Sequence, residues 1–62
     1  MKEPIAFRAN THAVAYSDYW ACGVMATDPT TRAEYLYATV YGLTERQAMD
    51  RAKSLAQKED RQ

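Results

Sequence analysis

The side chains in this 62-residue chain that could do chemistry are few and far apart. Cys22 is the only cysteine and His12 the only histidine. A thiolate nucleophile needs a base within hydrogen-bond reach, and a structural zinc site needs a tetrahedral set of such ligands at spacings like C-x-x-C or H-x-x-x-H. Neither spacing occurs. Asp18 and Asp28 sit in Ser-Asp and Asp-Pro turn signals, where an aspartate bonds the local backbone. Gly23 and Gly42 stand alone, so no glycine-rich loop is present to cradle a phosphate. These residues predict a non-enzymatic protein without metal or cofactor. The group that calls for an explanation is aromatic: the five tyrosines Tyr16, Tyr19, Tyr35, Tyr37 and Tyr41.

The elements that position them are legible from two rhythms. Period-two alternation predicts strands over about 6–16, 19–27 and 34–41, separated by a Ser17-Asp18 turn and the segment "DPTTR". After Gly42 the apolar residues recur every third or fourth position, which predicts a helix over about 45–58. Thr44 and Gln47 have the spacing of a capping box at its start, and Glu45 lies in the first turn, where the helix dipole favours a negative charge. Ala48, Met49, Ala52, Leu55 and Ala56 form its apolar stripe, with Arg46, Asp50, Lys53 and Gln57 opposite. The tail "QKEDRQ" reads as solvated. The fold class is therefore α+β: a three-stranded antiparallel meander with one C-terminal helix on one face, in a single small domain spanning 1–62.

A two-residue hairpin at Ser17-Asp18 sets Ala15 opposite Trp20, Ala13 opposite Cys22, Thr11 opposite Val24 and Ala9 opposite Ala26. Phe7, Trp20, Cys22, Val24, Leu36, Ala38 and Val40 then share the helix-covered face, with large side chains set against small ones. The other face receives Arg8, Asn10, His12, Val14, Tyr16, Tyr19, Met25, Tyr35, Tyr37, Thr39 and Tyr41. A bulge would reverse this assignment, because side chains change face with every one-residue slip.

Eight basic and eight acidic residues cancel, whereas a protein that works by neutralising phosphates carries a basic excess. The segment "MKEPIAFRAN" lacks the apolar run of a signal peptide, and nothing approaches the ~20 apolar residues of a membrane span. With a single cysteine, a cytoplasmic location in a bacterial or host cell is the expectation. A chain this short buries only about 60% of the surface of its unfolded form, and with no disulfide within the chain a partner chain is the expected supplement.

Tyrosine suits surfaces that are dry on the ring and wet at the hydroxyl. The expected binding face therefore comprises Tyr16, Tyr19, Met25, Tyr35, Tyr37, Tyr41, Arg8, Asn10 and His12, with Tyr35, Tyr37 and Tyr19 as its central anchors. The partner is a second protein, a second copy of the chain, or both, and no membrane. The alternative is single-stranded nucleic acid stacked on the same aromatics. In architecture alone, short strands followed by the helix "GLTERQAMDRAKSLA" resemble small phage and bacterial accessory proteins, some of them inhibitors of host defence such as anti-CRISPR proteins. That resemblance implies a stoichiometric binder and carries over no residues. The residues themselves read as a protein-binding module, a homodimer, that occludes or bridges its partner through the tyrosine face or a sheet edge.

Overall fold

The computed structural model describes residues 4–60. In chain order these form β1 (Ala6–Ala9), β2 (Val14–Ala15), β3 (Trp20–Thr27), β4 (Glu34–Gly42) and α1 (Glu45–Asp60). The architecture is α+β, an antiparallel sheet with one helix packed on it. β3 is the middle of the sheet. It pairs with β4 on one side and with β1 and β2, placed end to end, on the other. No described helix is long and apolar enough to cross a membrane.

The strand expected over 6–16 is two strands, so the sheet has four. The hairpin forms as the sequence predicts: Tyr16 N donates to Tyr19 O at 2.8 Å, Ala15 faces Trp20 and Val14 faces Ala21. Beyond it the chain leaves the ladder. Asn10 accounts for part of the break, since its Oδ1 accepts the Thr11 amide at 2.9 Å while its own amide donates to Gly23 O at 2.8 Å. Short polar side chains of this kind compete with strand ladders. Pairing resumes with Ala9 opposite Val24 and Phe7 opposite Ala26, in place of the expected Ala13–Cys22, Thr11–Val24 and Ala9–Ala26 pairs. Val24 lies four residues past Trp20, whereas Ala9 lies six before Ala15. The slip is thus two residues, an even number, and Phe7 and Ala9 still face the helix.

β4 behaves differently. Its partners run Cys22–Val40 and Val24–Ala38 and then jump to Met25–Leu36 and Ala26–Tyr35. Tyr37 is the extra residue of a β-bulge. A one-residue insertion reverses the faces, so Leu36, expected beneath the helix, lies on the open side. Tyr35 and Tyr37, expected on the open side, lie on the helix side.

The core is thin. Cys22 and Val24 from β3 meet Ala48, Ala52 and Ala56 of α1, with Phe7, Trp20, Val40, Met49 and Leu55 around them. An alanine stripe lets the helix axis approach the sheet closely. Gly42 is part of the same economy of space: a Cβ there would stand 2.6 Å from Ala48 N. The helix begins as expected, with Thr44 Oγ1 accepting the Gln47 amide at 3.0 Å. The Gln47 side chain reaches one residue further back than a standard capping box, accepting the Leu43 amide at 2.6 Å. Three contacts fasten the helix to the sheet. Arg51 Nη1 donates to Tyr41 O at 2.6 Å, Phe7 N donates to Asp60 Oδ1 at 3.0 Å, and the Tyr37 hydroxyl donates to Glu59 Oε2 at 3.1 Å. The helix therefore extends to Asp60, and Gln57–Asp60 of the expected solvated tail is helical. The rest of that tail, 61–62, lies outside the described residues.

Candidate protein-binding face

The sheet face away from α1 has two ends of different character. At the hairpin end three aromatic rings form a cluster. Tyr16 and Tyr19, neighbours across the turn, stack with centroids 4.9 Å apart and planes 16° apart. Tyr41 meets Tyr19 edge-on at 5.5 Å and 72°. Both are favoured ring geometries. The register explains the meeting, because Ala21 sits between Val14 on one side and Tyr41 on the other. Ala21 is only 6% exposed although no helix covers its side of the sheet. The rings keep much of their own surface in solvent: Tyr16 and Tyr41 are each 53% exposed. Tyr19, Tyr41, Leu43, Gln47 and Arg51 line a hollow of about 210 Å³ at the cluster's rim.

At the other end Leu36 lies over Gly23, with Met25 opposite Leu36 and Arg8 opposite Met25 in the ladder. Arg8 grips Glu34 with two bonds, Nε to Oε2 at 2.6 Å and Nη2 to Oε1 at 2.9 Å. It is the one salt bridge among the described residues, and the fork geometry is the favoured one for guanidinium and carboxylate. The bond holds the Glu34 carboxyl below its ordinary range and raises the Arg8 guanidinium.

Of the residues the sequence assigns to this face, Tyr16, Tyr19 and Tyr41 come together, and Arg8 and Met25 mark the opposite end. Asn10 lies in the break between β1 and β2, its Nδ2 on the Gly23 side. His12 is exposed in the same break and belongs to neither strand. Tyr35 and Tyr37 leave the face because of the bulge. Tyr37 packs edge-on against Phe7 at 4.8 Å and bonds Glu59 on the helix. That hydrogen bond is the main cause of its raised phenol pKa, with burial second.

Leu36, 59% exposed, takes their place, and sequence reasoning missed it because unbroken alternation puts it inside. Leu43, 77% exposed, was missed as well. It lies between the strand end and the helix cap, and its apolar side chain next to an N-cap was the only available signal.

Cys22 lies in the core on the other side of the sheet, its thiol pushed up chiefly by burial. No group of three or more His, Cys, Asp or Glu side chains able to hold a metal occurs among the described residues. Comparison of the chain with known protein families, curated proteins and solved structures finds no match.

Proposed function

We propose that the protein is a small non-enzymatic binding module that occludes or bridges a protein partner through this open sheet face, working as a homodimer. The observation that carries the reading is the cluster of Tyr16, Tyr19 and Tyr41 beside exposed Val14, with Leu36 further along the same face. Large apolar side chains that a fold leaves together in solvent usually mark a contact site, and tyrosines dominate such contacts energetically. Nucleic acid is the weaker reading. Arg8, at the far end of the face, is already held by Glu34, Arg51 at the rim of the tyrosine cluster donates to Tyr41 O, and the chain has no net positive charge. The finer reading, a phage-type inhibitor of host defence acting in the cytoplasm, rests on strand–helix order alone.

The test is capture of partners from bacterial lysate by wild type, Tyr16→Ala and Tyr41→Ala, with the helical circular dichroism of each variant as the check on folding. The reading expects both folded variants to lose the partner. Retention by both removes it, and oligonucleotide binding that weakens steeply with salt would put nucleic acid in its place.

A further inference from the structure

The hollow beside the tyrosine cluster is lined by two kinds of group. Tyr19, Tyr41 and Leu43 give it apolar walls, and Gln47 and Arg51 of α1 bring N–H donors. Leu43 is 77% exposed, the most open large apolar side chain among the described residues. The volume, about 210 Å³, lies below the ~300–1,000 Å³ of sites that enclose a whole small molecule. A space of that size suits one anchoring residue of a partner, the unit from which interface hot spots are built.

The donors indicate what that residue carries. Arg51 Nη1 donates to Tyr41 O at 2.6 Å. This uses one of the five N–H donors of a guanidinium and holds the group beside the hollow. The other cations of the helix have an acid or the dipole to answer them. Arg46 and Lys53 stand four and three residues from Asp50, and Lys58 lies in the last turn, where the dipole favours positive charge. Arg51 has neither. Its neighbours three and four residues away are Ala48, Gln47, Ser54 and Leu55, and it makes no salt bridge among the described residues. Gln47 is half spent in the same way: its Oε1 accepts the Leu43 amide, and its Nε2 has no acceptor among the described residues. No carboxylate lines the hollow. A pinned guanidinium and an amide donor beside apolar walls call for a carboxylate joined to an apolar body.

We infer that the hollow captures the C-terminal residue of the partner protein, an aromatic or branched apolar one. Its side chain lies against Tyr19, Tyr41 and Leu43, and its terminal carboxylate takes the remaining N–H groups of Arg51 together with Gln47 Nε2. This rests on the proposed function and deepens it, since two rings of the tyrosine cluster form part of the wall. A chain terminus fits because it joins an apolar side chain and a carboxylate within one residue, and because capture of a terminal carboxylate is a recurring mode of peptide recognition. An internal aspartate or glutamate would need a second residue for the apolar contact. A free amino acid brings an ammonium group, for which the hollow holds no acid. A nucleic-acid strand needs a row of cations along its phosphates, and Arg51 is the only cation lining the hollow.

The experiment is a titration of the whole protein followed by the NMR shifts of Leu43, Gln47 and Arg51. The probe is N-acetyl-phenylalanine, compared with its amide, with free phenylalanine and with phenyl phosphate. The acid should bind with a dissociation constant on the order of 1 mM, the strength usual for so few atoms. The amide should bind at least about tenfold more weakly, because it forfeits the charge-assisted pair. Arg51→Gln, whose amide can still donate to Tyr41 O, should weaken the acid by about the same factor, and Leu43→Ala by about fivefold. Both should keep the helical circular dichroism, and Lys53→Gln, away from the hollow, should leave binding unchanged. Equal binding of acid and amide overturns the inference. So does tighter binding of phenyl phosphate or free phenylalanine, a folded Arg51→Gln that binds like wild type, or an unshifted spectrum at about ten times that concentration. The comparison of acid with amide is made on wild type, so a variant that fails to fold leaves it decisive. Tyr16 does not line the hollow, so loss of the lysate partner by Tyr16→Ala would still support the proposed function after any of these failures.

Discussion

Leu36 lies over Gly23 so closely that a Cβ on the glycine would stand 2.9 Å from Leu36 Cδ1. The two residues come from adjacent strands and meet on the side of the sheet that has no helix. They meet there only because Tyr37 is bulged. Without the extra residue, Leu36 would point into the alanine-lined core and Gly23 would face open solvent.

The neighbour of Gly23 is the tip of a flexible, mostly exposed side chain, so Gly23→Ala should be tolerated. Leu36 turns aside, and the loss of backbone freedom in the unfolded chain offsets the strain. Thermal denaturation should find stability changed by no more than about 1 kcal/mol.

Gly42→Ala should behave in the opposite way. Its Cβ would meet Ala48 N at 2.6 Å and Gln47 C at 3.0 Å, backbone atoms of the helix's first turn that cannot turn aside. Overpacking of this kind costs about 1–3 kcal/mol, and urea denaturation should place Gly42→Ala at the upper end. In a protein this small, such a loss is a large part of the total.

Val24 is the largest fully buried side chain, facing Ala38 and Ala9 across the sheet beneath the helix. Val24→Ala should cost about 2 kcal/mol, the transfer of two methyl groups plus a cavity. Met25→Ala, one residue along on the open face, should cost much less. Equal losses for the two, measured by urea denaturation, would mean that β3 is turned over.

The pH dependence of stability should have two limbs of opposite sign. The Tyr37 phenol is raised in the fold by its bond to Glu59. Its contribution is therefore complete below the ordinary tyrosine value and fades as pH rises through the raised one. Glu34 is lowered by Arg8, so its contribution is complete above the ordinary carboxylate value and fades as pH falls through the lowered one. Tyr37→Phe should flatten the alkaline limb only, and Arg8→Gln the acid limb only, in urea midpoints taken across pH. The Arg8–Glu34 limb should also shrink in high salt, since both side chains face solvent.

Much of the architecture was readable from the chain because its signals were local. Thr44, Gln47 and the alanine stripe announce the helix, and the alternation of β3 survives intact. Ser17-Asp18 gave the hairpin although it lacks the favoured Asn-Gly pair. The break at Asn10–Ala13 was not readable, but being even it left the faces unchanged. The bulge at Tyr37 was both unreadable and decisive. "EYLYATVYG" alternates without a flaw and contains no glycine at the bulge to betray it. What singles out Tyr37 is tertiary: its ring finds Phe7 and its hydroxyl finds Glu59, 22 residues away. The open face was accordingly half legible: Tyr16, Tyr19 and Tyr41 stand on it as expected, and Tyr35, Leu36 and Tyr37 are inverted.

The direction of those three side chains is the claim on which the composition of the open face beyond the tyrosine cluster rests. Nuclear Overhauser contacts in solution test it most directly. The account predicts contacts from the Tyr37 ring to Phe7 and from the Leu36 methyls to Gly23. Contacts from the Leu36 methyls to Ala48 or Ala52, with the Tyr37 ring silent toward Phe7, would contradict it.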